Sequence, residues 1–198
     1  QGFAVQLRIN LETLHADGST RPAVGTLTAF DPPSGPGLRV DGYGYAGYPV
    51  SPSYDSLLAK LIAQGADYPA ALRRAYRALS EFRLEGVANN LHLLQNLLRH
   101  PAVQRHQVNT RFVENQLSEL LAPQPQAHAH RYFAVSSASV AATLHSVDAP
   151  PGSVPLTTPN PGVLVCLEVA EGDAVAAGQS IAVLEAMKME FVVKASHS

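Results

Sequence analysis

The sequence predicts an α+β segment followed by a separate all-β segment, with a linker between them. Three observations lead to this prediction. Apolar residues follow helical spacing in several windows before residue 121. A stretch rich in Pro, Ala and Ser covers residues 122–153 and shows no sustained period. From residue 154 to 198 the apolar period changes to two, which is typical of strands. We therefore expect domains at 1–121 and 154–198, joined by a linker at 122–153.

The first segment opens with strands. In residues 2–10 polar residues alternate with apolar ones such as Leu7 and Ile9, which indicates a half-buried strand. Turn residues in HADGSTRP and DPPSGPG separate two further short strand candidates, residues 25–30 and 38–40.

Helical spacing predicts four helices in the rest of this segment. The first covers residues 54–65, where apolar residues recur at intervals of three and four. The second covers residues 67–82, and Asp67 is a suitable residue to cap its start. The last two cover residues 90–99 and 110–121.

Composition limits the classes of function. The chain has 198 residues, 46% of them hydrophobic, and a formal net charge of −2. Neither nucleic acid nor an anionic membrane is expected to bind it by bulk charge. No apolar run approaches the ~20 residues that span a bilayer. The single cysteine, Cys166, excludes an internal disulfide framework and favours a reducing, cytoplasmic compartment.

Two apparent motifs are interpreted as structural features and not as binding sites. GYGYAG, residues 42–47, matches the dinucleotide-binding fingerprint, but the prolines of the following YPVSPS exclude the helix that this fingerprint needs. We expect a glycine-rich turn there. His128 and His130 lie on the linker without further ligand residues, so no metal site is expected.

The stretch VLEAMKMEFVV, residues 183–193, carries the most specific signal. Two strand candidates flank AMKM, which places Lys188 at the tip of a hairpin between Met187 and Met189. An exposed lysine amine is protonated at neutral pH and is a poor nucleophile, but a modifying enzyme can reach it. The alternative is an ordinary surface hairpin whose methionines point toward a core.

These residues resemble the biotin attachment motif of biotin carboxyl carrier domains. The likeness extends to TPNPG at residues 158–162 and to EGDAVAAGQSIAVLEAMKME at 171–190. It implies that biotin protein ligase joins biotin covalently to Lys188, and Met187 and Met189 distinguish the motif from that of lipoyl domains. It also implies an all-β half-barrel of biotinyl/lipoyl type, truncated at its second half. The apolar row that we expect to face inward is Val163, Val165, Leu167, Ile181 and Val183.

The first 121 residues resemble the C-terminal subdomain of biotin carboxylase, an ATP-grasp ligase with an antiparallel sheet and helices. The likeness is carried by AVQLRIN, GPGLRV, YAGYPVSPSYDSLLAKLI, ALSEFRLEGVANNLHLLQNLLRHP and NTRFVEN. It implies that Arg8 lies by the biotin ureido ring and stabilises the enolate formed on deprotonation. It also implies that Phe112 contacts the ATP adenine and that Arg39 lies at a dimer interface, so a homo-oligomer is expected. Without the resemblance, Arg8 is interpreted as a residue on the exposed face of an amphipathic strand. Phe112 has the helical spacing of a residue that packs in the core.

Together the resemblances imply a biotin-dependent carboxylase. Such a ligase uses ATP with Mg²⁺ or Mn²⁺ and bicarbonate to carboxylate biotin on Lys188, and a carboxyltransferase domain or subunit then receives the carboxyl group. Most ATP- and metal-binding residues belong to a preceding part of the family's chain, so residues 1–198 alone are expected to be inactive.

The spacing of the two segments bears on the acceptor. About thirty linker residues are too few for the domains that pyruvate-, urea- and propionyl-type carboxylases carry there. The segment SGPGLRVDGYGYAGY resembles the corresponding sequence of large single-chain bacterial acyl-CoA carboxylases. We expect acetyl-CoA or a related acyl-CoA as acceptor, in fatty acid metabolism. The alternatives are a pyruvate- or urea-type carboxylase and a non-catalytic biotin or lipoyl carrier module.

Overall fold

The computed structural model describes residues 2–51, 53–123, 150, 152–158, 162–186 and 189–197. They divide into two compact units. The first contains the described residues up to 123 except 51–55, and the second contains 51–55 with the described residues from 150 onward. The first mixes helices with antiparallel sheets and the second contains strands, so the predicted α+β segment followed by an all-β segment is confirmed.

The elements are numbered along the chain. In the first unit they are β1 (Phe3–Asn10), β2 (Glu12–Leu14), β3 (Thr20–Pro22), β4 (Gly25–Thr26), β5 (Ala29–Asp31), β6 (Leu38–Gly42), β7 (Pro49–Val50), β8 (Leu57–Gly65), α1 (Tyr68–Glu81), β9 (Arg83–Glu85), α2 (Leu91–Arg99), α3 (Pro101–Gln104), α4 (Phe112–Asn115) and α5 (Leu117–Leu121). In the second unit they are β10 (Val163–Leu167), β11 (Ser180–Ala186) and β12 (Met189–Lys194).

A three-stranded antiparallel sheet in the order β1-β8-β6 is the framework of the first unit. Three short two-stranded ladders join β2 to β3, β4 to β7 and β5 to β9. One face of the large sheet is buried beneath the helices and carries Leu7, Ile9, Ala59, Leu61 and Ala63. The other face of this sheet, which we call the outer face, carries the polar residues of β1.

The predicted helix at 54–65 is wrong, because residues 57–65 form the central strand β8. A short apolar run with spacings of two, three and four fits a helix face and a strand face equally well. Pairing with β1 on one edge and β6 on the other decides the outcome. Ala59 and Leu61 point to the buried face, while Lys60 and Ile62 alternate with them and are half-buried.

Two predicted helices are confirmed and one is wrong. α1 begins after Asp67, whose Oδ1 accepts from the Ala70 N–H at 2.7 Å, and α2 ends at Arg99 as expected. The single helix expected at 110–121 is instead divided at Gln116 into α4 and α5. Only α5 contributes buried side chains, and α2 binds its end through hydrogen bonds from Asn96 Nδ2 to the carbonyls of Leu120 (2.8 Å) and Ala122 (3.2 Å).

The glycine-rich segment at 42–47 is a turn, as predicted. The Gly47 N–H donates to the Leu27 carbonyl at 2.7 Å, and strand β7 follows where a dinucleotide fold would need a helix. The rings of Tyr43 and Tyr45 pack edge-to-face on Tyr48 with centroid distances of 5.4 and 5.5 Å.

The second unit is an antiparallel sheet in the order β10-β11-β12. The expected inward row is wrong, because a bulge between Leu164 and Cys166 puts its members on different faces: Val163 is opposite Glu185, whereas Leu167 is opposite Ala182. The buried row is the alternate one, Ala182, Leu184, Ala186 and Val193. Both faces of these strands carry apolar residues, so alternation in the sequence did not identify the buried face.

Three other expectations concern the linker histidines, membrane-spanning helices and metal sites. The linker histidines, His128 and His130, lie outside the described residues. Within the described ranges, no helix has the length and apolar character needed to cross a bilayer. The same residues contain no cluster of three His, Cys, Asp or Glu side chains arranged to hold a metal.

Gly86 provides a test of the packing at the β5–β9 ladder. Its φ is +99°, and a Cβ there would contact the Thr26 carbonyl oxygen and lie 2.6 Å from the Thr28 nitrogen. We expect Gly86→Ala to lower the free energy of unfolding by about 3 kcal/mol, through backbone strain and overpacking. Gly18→Ala is the matched control, because Gly18 has a φ of +84° with nothing within 4 Å of a Cβ. It should cost about 1 kcal/mol. Chemical denaturation followed by circular dichroism measures both, and equal losses would contradict the assigned contact.

Candidate functional site

Strand β1 presents Arg8 on the outer face of the sheet. Leu7 and Ile9 are 6% and 0% exposed on the core side, whereas Gln6 and Arg8 are exposed and Asn10 is half-buried. The predicted half-buried strand is therefore confirmed. Core packing of two neighbours fixes the side of the sheet on which the Arg8 guanidinium lies.

A row of three charged residues crosses the outer face. Arg8 is opposite Lys60 of β8, and Lys60 is opposite Asp41 of β6. The Arg8 carbonyl is bonded by Asn90 on the other edge of β1, so Arg8 and Lys60 form a non-hydrogen-bonded pair. Cα atoms in such pairs lie ~4.5 Å apart, and the two cationic side chains are close neighbours. Sequence reasoning missed Lys60 because its segment was interpreted as a helix.

Asp41 neutralises a different cation. Its Oδ1 lies 2.9 Å from Arg39 Nε, and this hydrogen bond raises the pKa of Arg39 above its ordinary value. Lys60 makes no salt bridge among the described residues. Arg8 and Lys60 therefore place two cationic side chains next to each other on the outer face. Fixed cations of this kind stabilise negative charge that develops in a reaction.

The end of β1 adds a hydrogen-bond acceptor to this face. Asn10 Nδ2 donates to Glu12 Oε1 at 2.9 Å, and Ser56 Oγ donates to Glu12 Oε2 at 2.7 Å. The buried Asn10 Oδ1 receives no hydrogen bond within the described part of the chain. A buried acceptor without a donor costs ~1–3 kcal/mol, so this atom is suited to a donor from a bound group or another segment.

Phe112 lies on the helical side of the first unit. It is half-buried as the first residue of α4, packs against the core, and meets the His100 ring edge-to-face at 4.9 Å. The structure does not bring it onto the outer face with Arg8. This position satisfies the core-packing interpretation, and an adenine contact stays a proposal.

The β11–β12 hairpin is the framework for the second candidate site. Its ladder runs from Ser180–Lys194 to Ala186–Met189, and Met187 and Lys188, which join the last pair, lie outside the described residues. Met189 is 59% exposed, and Ala186 is buried. One primary amine between the ends of two paired strands is the chemistry that covalent biotin attachment needs.

Glu185 and Glu190 form a cross-strand pair one step from the end of this ladder, and both are exposed. Like charges in directly opposed positions destabilise a hairpin. This end of the hairpin therefore carries a local negative charge at some cost in stability.

Comparison with known proteins identifies both segments. The family model for the biotin carboxylase C-terminal domain matches residues 6–115, and the model described as biotin-requiring enzyme matches residues 154–198. The chain belongs to the biotin carboxylase C-terminal domain family. The expected relationship to biotin-dependent carboxylases, which are ligases, is confirmed. Taken together, the two matched domain types imply covalently bound biotin, and ATP with a divalent metal, as cofactors.

Individual relatives extend this result. The biotin-dependent acyl-coenzyme A carboxylase alpha3 subunit of Mycobacterium leprae is 31% identical over 98% of the chain and 39% of that protein. Human mitochondrial pyruvate carboxylase is 39% identical over 57% of the chain and 10% of that protein. A solved single-chain, multi-domain long-chain acyl-CoA carboxylase is 43% identical, with a TM-score of 0.58, over 100% of the chain and 18% of its own. The chain thus spans well under half the length of each of these proteins.

Proposed function

We propose that this chain is part of a biotin-dependent acyl-CoA carboxylase of fatty acid metabolism. The observation that carries the proposal is the extent of the likeness. The mycobacterial acyl-CoA carboxylase subunit and the single-chain carboxylase match 98% and 100% of the chain, whereas human pyruvate carboxylase matches 57%. A protein of the first kind contains counterparts of both segments.

The proposal has consequences for organisation. Residues 1–121 act in biotin carboxylation and residues 154–198 carry biotin, with 122–153 as the connection between them. Biotin protein ligase modifies Lys188, and a carboxyltransferase domain or subunit receives the carboxyl group. The full-length enzyme is cytoplasmic and forms a homo-oligomer, with Arg39 at an interface.

The chemistry assigned to this chain is electrostatic. Biotin, when attached, supplies a ureido nitrogen that accepts and delivers a carboxyl group. Arg8 holds the negative charge that develops there, because its guanidinium is permanently charged and lies on a rigid sheet. Lys60 adds to the positive field as its cross-strand neighbour. Phe112 contacts the adenine of ATP, whose phosphates and metal ion are held mainly by other segments of the full-length enzyme.

The acceptor is tested with radiolabelled bicarbonate. The full-length enzyme should fix label into an acyl-CoA, acetyl-CoA or a longer homologue, when ATP and Mg²⁺ are present. Pyruvate and urea should give incorporation no higher than an acceptor-free control. Efficient labelling of pyruvate with none of any acyl-CoA would establish the pyruvate-type alternative instead.

Lys188→Arg tests the attachment site. The substitution keeps the charge but removes the primary amine, so biotin incorporation and carboxylation of the acceptor should both be abolished. Carboxylation of free biotin should persist, because it does not use this amine. Lys194→Arg is the matched control, since Lys194 is an exposed lysine at the other end of β12, and it should remain biotinylated. Intact mass reports both variants, and biotin on Lys188→Arg would place the attachment elsewhere.

Arg8→Gln tests the proposed catalytic role. In the full-length enzyme it should lower biotin carboxylation at least ~100-fold, the scale of removing one preorganised charge donor. Bicarbonate-dependent ATPase activity should fall much less, because carboxyphosphate forms before biotin loses its proton. Arg21→Gln is the control, since Arg21 is an exposed arginine on β3, outside the large sheet, and both activities should be retained. A parallel loss of both activities in Arg8→Gln would assign Arg8 to structure or to ATP.

A further inference from the structure

The side chain of Asn90 binds the edge of β1 that β8 leaves open. β8 pairs with one edge of β1, and no strand of the described residues pairs with the other. On that edge Asn90 Nδ2 donates to the Arg8 carbonyl at 3.0 Å, and Asn90 Oδ1 accepts from the Asn10 N–H at 2.9 Å. The Asn90 N–H also donates to the Asn10 carbonyl at 3.1 Å.

These contacts reproduce the bonding of a parallel strand with a single side chain. In a parallel pair, a residue donates to the carbonyl just before its partner and accepts from the N–H just after it. The Asn90 amide does both across Ile9, which is 0% exposed. A primary amide supplies a donor and an acceptor together, whereas a carboxylate or a hydroxyl of this reach does not supply both in that arrangement.

Pairing on the opposite edge of β1 is irregular at the same level. Ile9 pairs with Ala59, but Asn10 pairs with Leu57, so Leu58 is an extra residue that forms a bulge. Bulges bend a strand and change the direction of neighbouring side chains. The amide therefore holds β1 on its open edge next to this irregularity.

The start of α2 does not need the Asn90 side chain. Asn90 occupies the N-cap position but makes no side-chain capping bond. The neighbouring Asn89 instead binds the first residue of the helix, since its Oδ1 accepts from the Leu91 N–H at 3.2 Å. The Asn90 amide is thus committed to β1, 80 and 82 positions away in sequence.

We propose that Asn90 is a positioning residue for Arg8. Its amide fixes the backbone at residues 8–10, and so sets the direction in which the Arg8 guanidinium leaves the outer face. Small displacements of a charge donor weaken its interaction with the reacting group steeply. This inference rests on the role proposed above for Arg8.

Two variants of the full-length enzyme test the inference. Asn90→Asp is isosteric but removes the donor to the Arg8 carbonyl. Asn90→Ser keeps a residue favoured at helix N-caps but is too short to bridge β1. With free biotin as substrate, each should lower carboxylation roughly 10-fold, the scale of a misplaced catalytic group, and leave bicarbonate-dependent ATPase activity within about two-fold. Asn89→Ser is the matched control and should leave both activities near the wild-type level.

Two further measurements separate positioning from a general structural effect. In an Arg8→Gln background, Asn90→Ser should cause no further loss of carboxylation, because its effect passes through Arg8. Hydrogen–deuterium exchange, which does not depend on activity, should become faster in the peptide covering residues 3–10 of Asn90→Ser and stay unchanged in Asn89→Ser.

The outcomes distinguish the positioning role of Asn90 from the catalytic role proposed for Arg8. Full activity in Asn90→Asp and Asn90→Ser, while Arg8→Gln is impaired, overturns the positioning role and leaves the role of Arg8 intact. Equal losses of ATPase and carboxylation, or losses that add to those of Arg8→Gln, also overturn it. Normal carboxylation by Arg8→Gln overturns the role of Arg8 and the inference together.

Discussion

The packing of α1 against one face of the three-stranded sheet is the constraint on which the first candidate site depends. Ala59, Leu61 and Ala63 of β8 are at most 2% exposed on that face. At Gly65 the sheet and helix approach so closely that a Cβ would lie 2.9 Å from the Ala70 carbonyl carbon. Since side chains alternate along a strand, the same packing sends Lys60 to the outer face, and a slip of one residue would bury its charge. The apolar core therefore determines which charges face outward.

Sequence patterns predicted the helices and strands whose formation depends on neighbouring residues in the chain. α1 followed from its spacing and the Asp67 cap, and β1 followed from strict alternation. β8 was missed because its apolar run fits both periods, and the choice depends on pairing with strands that lie about 20 and 50 positions earlier in the chain. The same error concealed Lys60. The Asn90 contact joins residues 80 or more positions apart, and no window of the sequence contains both partners.

The second unit shows a different balance between its two faces. Its buried row is made largely of small residues, Ala182 and Ala186 beside Leu184, while every residue of β10 is exposed. Val163 and Leu167 are 52% and 64% exposed, which is unusual for apolar residues in a strand. A strand with such a surface normally packs beneath a second layer, as in a barrel or sandwich. This accords with the half-barrel that the sequence implied, although the row facing inward in the sequence argument was the wrong one.

The identities of the charged residues on the outer face have a physical basis. Arg8 and Lys60 are like charges at adjacent positions, an arrangement that lowers stability unless an anion offsets it. A guanidinium presents several donors in a fixed planar arrangement, whereas an ammonium is a point charge on a flexible stem. An arginine at position 8 therefore offers donors in a defined direction, and Lys60 adds a second cation beside it. Asp41 would offset the charge of Lys60 if the two formed a salt bridge. Its carboxylate binds Arg39 of the same strand instead. Arg8 and Lys60 therefore stay neighbours on the row where a reacting anion would gain from two cations.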